Sequence, residues 1–177
     1  INITIAHFPS IIHLLFYNKM YQTYKGEVTV KWYMATFNDL SNVDLYQILK
    51  ARTDIFVVEQ NCAYPELDDL DQVSTHYFLK KDGKIIAYAR IIPKNMKYPV
   101  VSIGRVLVKK DYRGQGLARE LMTRVLDVIT QDWQESTIQI QAQTYLKSFY
   151  ESLGFKQISE SYLEDGIPHI DMLFESN

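Results

Sequence analysis

The sequence predicts an α+β domain in which a mixed, largely antiparallel central sheet is flanked by helices. Three observations carry that expectation. Strand-like and helix-like segments follow one another without regular alternation, which disfavours a doubly wound parallel sheet. Asp82-Gly83 separates two strand-like runs, His76 to Lys81 and Lys84 to Pro93, and this dipeptide suits a tight hairpin that makes the two strands antiparallel. A third β-branched run, Val101 to Val108, feeds a glycine-rich turn and then an apolar-periodic helix beginning near Gln115. At 177 residues, 47% of them hydrophobic, the chain is one domain by size and can bury a sizeable core without disulfide or metal.

Residues 1–28 read as an N-terminal extension of unassigned role, and residues 29–177 as the domain proper. Phe8 to Tyr17 is apolar, but no positive region precedes it, no small-residue cleavage site follows, and it is too short to span a bilayer. A helix from Ile11 to Tyr21 would pack on the domain or on a second subunit, so a homodimer stays open. Val28 to Thr36 alternates as a strand. Ser41 and Asp44 resemble a capping box, with Asp in place of Glu, ahead of Leu45, Ile48, Leu49, Ile55 and Phe56 at helical spacing, which starts the first helix near Asn42. After the hairpin and the third strand, Leu117, Leu121, Met122, Val125 and Ile129 share a helical face. Thr137 to Ala142 is the next strand, a short helix runs through Phe149 and Tyr150, and strands follow near Phe155 to Tyr162 and Ile167 to Phe174.

Composition removes several function classes. The formal net charge is −2, from 19 basic and 21 acidic residues, so no broad positive field favours nucleic acid. One cysteine, Cys62, excludes an intrachain disulfide, and four scattered histidines show no zinc-ligand spacing. The simplest expectation is a cytoplasmic protein with no metal and no membrane or nucleic-acid partner.

Residues Arg113 to Ala118 are the most informative stretch. The amides of a turn and of the following helix's first turn have no intrahelical acceptor, and the helix dipole places partial positive charge there, so phosphate oxygens are natural guests. Gly114 and Gly116 admit positive φ and close approach, while Arg113 adds a forked cation. The spacing is neither that of a dinucleotide fingerprint nor that of a P-loop.

What the stretch does contain is Arg-x-x-Gly-x-Ala, as Arg113, Gly116 and Ala118, and this resembles the acyl-CoA pyrophosphate loop of the GNAT superfamily of N-acetyltransferases. Tyr150, Gly154 and Phe155 are similar to that family's Tyr-x-x-x-Gly-Phe ending. The run from Arg52 through Glu59 and Cys62 to Tyr64, followed by Asp68, Asp71 and His76, resembles the ElaA-like branch, as does Asp165 to Ile170. The matches span residues 31–174.

The resemblance implies acetyl-CoA as cosubstrate, held by the backbone of Val106, Leu107 and Val108 and by Arg113, Gly114, Gln115, Gly116, Leu117 and Ala118. It also implies a GNAT-like sheet, direct transfer to a primary amine of a small molecule or peptide, and His169 lining the acceptor pocket. Tyr150 is the candidate proton donor, since a phenol with pKa ~10 can protonate a thiolate whose acid lies near ~8.5 at close range; it also reads as a packing aromatic beside Phe149 and Phe155. An amine must shed a proton, and Glu59 at the first helix's end and His76 at a strand's start are the candidate bases. Each equally reads as structural, the one a solvated charge and the other a hydrogen-bonding spacer. Arg52, Arg90 and Arg105 lie in apolar segments, where pairing with the acidic loop of Glu66, Asp68, Asp69 and Asp71 would offset their burial. A domain that binds acyl-CoA as a sensor without turning it over is the alternative reading.

Overall fold

In the computed structural model, which describes residues 28–176, the sheet opens with β1 (Val30–Thr36). The helix expected over residues 11–21 lies outside the described residues. Ser41 starts α1 (Asn42–Arg52): its hydroxyl accepts the Asp44 amide at 3.0 Å, while the Asp44 carboxylate pairs with Lys80 at 2.5 Å instead of returning to the cap. The cap is therefore half of the expected box. Beyond Arg52 the helix widens into π turns over Thr53–Glu59, with the amides of Gln60 and Cys62 bonding the carbonyls of Ile55 and Val57, five residues back, at 3.1 Å each.

The hairpin forms as the sequence predicts. β2 (Thr75–Lys81) and β3 (Lys84–Ile92) pair antiparallel across Asp82 and Gly83, whose φ values of 50° and 74° are those of a primed turn. β4 (Val101–Val108) pairs antiparallel with β3, with Tyr88 opposite Leu107 but Arg90 opposite Gly104, so β4 carries one extra residue between them. Arg105, at φ 53°, sits in that bulge.

α2 (Leu117–Asp127) begins two residues later than expected, behind Gly116, and ends in a further π turn over Val128–Asp132. β5 (Thr137–Gln143), α3 (Lys147–Glu151), β6 (Lys156–Gln157), β7 (Tyr162–Glu164) and β8 (Ile167–Glu175) complete the fold. The single strand expected over Phe155 to Tyr162 is thus two short ones. Ser159 breaks it: its hydroxyl accepts the Asp171 amide at 2.8 Å and donates to the Glu160 carbonyl at 2.9 Å, so a side chain replaces the main-chain ladder.

The eight strands run in the order β1-β2-β3-β4-β5-β8-β6, with β7 on β8, and every described pairing is antiparallel except β4 with β5. α2, through Leu121, Met122 and Val125, and the π turn after it, through Ile129, cover one face, packed with Ile91, Ile103, Ile138 and Met172. α1 covers part of the other through Ile48, Ala51 and Ile55 against Phe78, Ile85, Tyr88 and Leu107. The parallel pair is the feature that makes the site: β4 and β5 match only at Val101–Ile138 and Ser102–Gln139, and beyond those two pairs the strands part.

Candidate active site

Where β4 and β5 diverge, the edge of β4 beyond Ser102 has no partner strand, so its outward main-chain groups face a groove of about 1120 Å³. Val106, Leu107, Val108, Arg113 and Ala118 line one end of that groove, together with Glu59 and Tyr150. Gly114 and Gly116 take φ values of 74° and 81°, which glycine adopts at least cost, and Gly116 caps α2 without any side-chain hydrogen bond. The amides of Gly114, Gln115 and Gly116 find no acceptor among the described residues. A Cβ built on either glycine would meet nothing within 4 Å, so both glycines border open space where a side chain would stand. Such a turn fits a diphosphate: donors converge, the helix dipole is favourable, and no side chain obstructs approach.

Arg113 is held before any ligand arrives. Its Nε donates to the Val108 carbonyl at 2.9 Å, and its terminal nitrogens meet the two Glu59 oxygens at 2.5 and 3.1 Å. The hydrogen bond from Arg113, followed by its charge, holds the Glu59 carboxyl below the usual range. Glu59 is in the groove as expected but is engaged as a counter-ion, which weakens it as a base.

Tyr150, on α3, lies almost wholly buried between Phe149 and Phe155, both packed edge-on at 5.1 and 5.8 Å between ring centroids. Burial first, and the nearby Tyr145 second, pushes its phenol well above the ordinary tyrosine value. The ring therefore serves packing and still borders the groove.

His76 is elsewhere. Fully buried in β2, it bonds the Tyr88 hydroxyl at 2.8 Å and the Asp71 carbonyl at 3.1 Å, and it is absent from the groove lining. Burial lowers its pKa, keeping the ring neutral inside the domain. Period-2 alternation indicates a strand residue's face but not its depth, which is why the sequence offered His76 as a candidate.

His169 does reach the groove. On β8 opposite Gln143, its Nδ1 lies 2.8 Å from the Ile167 carbonyl, which accepts only, so Nδ1 donates there and Nε2 has no hydrogen-bond partner among the described residues. Tyr162 stacks on it at 6.4 Å.

The sheet face carrying His169 is polar in a way the sequence partly announced. On β5, Ile138, Ile140 and Ala142 point to the α2 core, so Gln139, Gln141 and Gln143 take the opposite face, where Gln141 and Gln143 line the groove, as the period-2 alternation of Thr137 to Gln143 implies. The expected internal pairing of the arginines is present and dense. Arg52 meets Glu66 at 2.8 Å and Asp71 at 2.5 Å, Arg90 meets Asp68 at 2.5 Å and Asp71 at 2.9 Å, and Arg105 meets Glu66 at 2.7 Å and Asp68 at 3.2 Å. Against the cost of its burial, Arg90 and then Arg105 hold the Asp68 carboxyl at about 2. Cys62 is buried as a small apolar residue, its Sγ 3.5 Å from the Asp165 carbonyl. Among the described residues, no cluster of three His, Cys, Asp or Glu side chains could hold a metal, and no helix is long and apolar enough to cross a membrane.

A parallel strand pair that splays over an amide-lined helix start, within a mixed α/β sheet, is the architecture of acyltransferases that use acyl-CoA. The chain belongs to the GNAT acetyltransferase family: residues 46–176 match the acetyltransferase (GNAT) domain model. It is 45% identical to a UPF0039 protein of Schizosaccharomyces pombe over 78% of this chain and 93% of that one. It is 38% identical to protein ElaA of Escherichia coli over 82% of this chain and 97% of that protein. The ElaA crystal structure superposes with a TM-score of 0.78, covering 83% of this chain and all of the other. The crystal structure of an acyl-CoA N-acyltransferase from Pseudomonas aeruginosa gives 0.79 at 38% identity, covering 82% and 99%.

Proposed function

We propose that residues 29–177 form an N-acetyltransferase that moves an acetyl group from acetyl-CoA to a primary amine of a small molecule or peptide by direct transfer. The observation that supports this reading is one groove that runs from Arg113 and Ala118, the residues flanking the glycine turn, along the free edge of β4 to Tyr150 and His169, while Gly114 to Leu117 themselves lie outside its lining. The turn amides of Gly114 to Ala118 take the diphosphate, Arg113 adds charge beside it, and the β4 edge at Val106 to Val108 pairs with the amides of the pantetheine arm. A main-chain donor at the thioester oxygen is worth on the order of 3 kcal/mol as negative charge develops there.

The amine reaches neutral pH as a cation and must lose a proton before attack. His169 takes it in this reading: its Nε2 has no hydrogen-bond partner among the described residues, whereas Glu59 is occupied by Arg113 and His76 lies outside the groove. The neutral nitrogen then attacks the thioester carbonyl, the C–N bond forms, and the C–S bond breaks. Tyr150 protonates the departing thiolate and is reprotonated by the second proton leaving nitrogen. Burial raises its phenol, which keeps it protonated and able to donate. Thiol release measured over a panel of primary amines, beside calorimetric titration with CoA, tests the proposal. Saturable CoA binding with amine-dependent release is expected; binding without release from any amine favours the sensor reading, and no binding overturns both.

A further inference from the structure

The groove's acceptor end contains donors that the protein itself leaves without partners. Arg90 and Ser102 are the case in point: Arg90 Nε and Ser102 Oγ are buried and have no hydrogen-bond partner among the described residues, and both side chains line the groove. They lie together. Arg90 is opposite Gly104 and Ser102 opposite Ile92 in the β3–β4 ladder, so the two are diagonal neighbours on one face of the sheet, the face that also carries His169. Leaving a buried cationic N–H unmade is costly, and a nearly dry hydroxyl beside it doubles the anomaly. Lys97, on the β3–β4 loop, lines the same end and gives its Nζ to Gln141 Oε1, with ammonium donors to spare.

Resting on the acetyltransferase reading, we propose that the acceptor is an amine that also bears a carboxylate, an amino-acid-like molecule whose anionic end is received by Arg90 Nε, Ser102 Oγ and Lys97. The residual capacity decides the class of anion. Three of the five Arg90 N–H groups, both on Nη1 and one on Nη2, are taken by Asp68 and Asp71, so what remains is the Nε–H, one Nη2 N–H, one hydroxyl and part of one ammonium, beside a guanidinium charge already balanced by carboxylates. That set matches a single negative charge. A dianionic phosphate would instead face Asp68 and Glu164, both in the same lining, without enough cation to balance them. The opposite sign, a ligand ammonium, cannot satisfy Arg90 Nε, which only donates.

The test is acetylation of three matched probe sets by the full chain: α-amino acids, their carboxamides, and amines of the same skeleton lacking the carboxylate. The expected result is a kcat/KM at least about tenfold higher for the carboxylated set, the size of one lost hydrogen bond to a charged group. Ser102→Ala raises the KM for the carboxylated acceptor about tenfold and narrows its preference over the carboxamide; Lys97→Gln, on a loop, does the same if the first variant folds poorly. Equal or faster turnover of the amines lacking a carboxylate overturns this inference and leaves the acetyltransferase reading standing. A fall in kcat with unchanged acceptor KM in both variants also overturns it. CoA binding without acetylation of any probe removes both.

Discussion

At the residue scale, the assignment turns on how three side chains are held. Tyr150 keeps its ring contacts in a Tyr150→Phe variant, so kcat should fall about 100-fold while CoA affinity, read by calorimetry, stays within twofold. An equal loss of affinity would move the residue from chemistry to scaffolding. His169→Gln should lower kcat/KM for the amine, whereas His76→Gln should leave kcat/KM nearly unchanged and lower stability instead. The motif made Tyr150 and Arg113 readable directly. Glu59 and His76 were readable as positions near element ends, but the ion pair of one and the burial of the other depend on Arg113 and Tyr88, partners 54 and 12 residues distant.

At the scale of elements, the turn before α2 bears the sharpest prediction. In Gly116→Ala the new methyl meets no protein atom within 4 Å, but the backbone sits at φ 81°. The strain costs about 1–2 kcal/mol, read as a lower melting temperature. If the turn holds the diphosphate as proposed, CoA affinity should also fall, by about tenfold or more, because a methyl beside the turn amides crowds an anion bound there. Local rules served well wherever turn or cap chemistry is local: Asp82-Gly83 set the hairpin, and Ser41 set the start of α1. They failed where a long-range partner intervenes. The split between β6 and β7 requires Ser159 to meet Asp171, and the Arg105 bulge is anchored through Glu66 and Asp68, contacts no sequence window contains.

At the scale of the whole molecule, the buried ionic cluster ties α1, the acidic loop, β3 and β4 into one body. It also sets the response to acid. His76 is held neutral below its ordinary value of 6.5, so its contribution is present above that value and declines as the unfolded chain takes up a proton at lower pH. Asp68, held at about 2 against an ordinary 3.8, contributes fully above 3.8 and loses that contribution as pH falls toward 2. Asp71 is depressed in the same direction. Denaturant midpoints should therefore decline gently from pH 7 to 5 and steeply from 4 toward 2, and His76→Gln should flatten the first limb alone. Pairing of the arginines with these carboxylates was legible from their apolar surroundings; which carboxylate serves which arginine was not, since Asp69 is bypassed and Glu66 is shared by two.

The two-rung seam between β4 and β5 makes the protein a hinge-like join of two antiparallel leaves, β1 to β4 and β5 to β8. On the proposed reading a pantetheine chain lying in the gap would act as a surrogate strand, lending the hydrogen bonds that the leaves do not exchange. Saturation with CoA should then slow amide hydrogen exchange along residues 103–108 well beyond the footprint of the phosphates, and raise the melting temperature with ligand concentration. On the proposed reading the cosubstrate would complete the sheet, so the protein would be stiffest when loaded and would loosen as product departs.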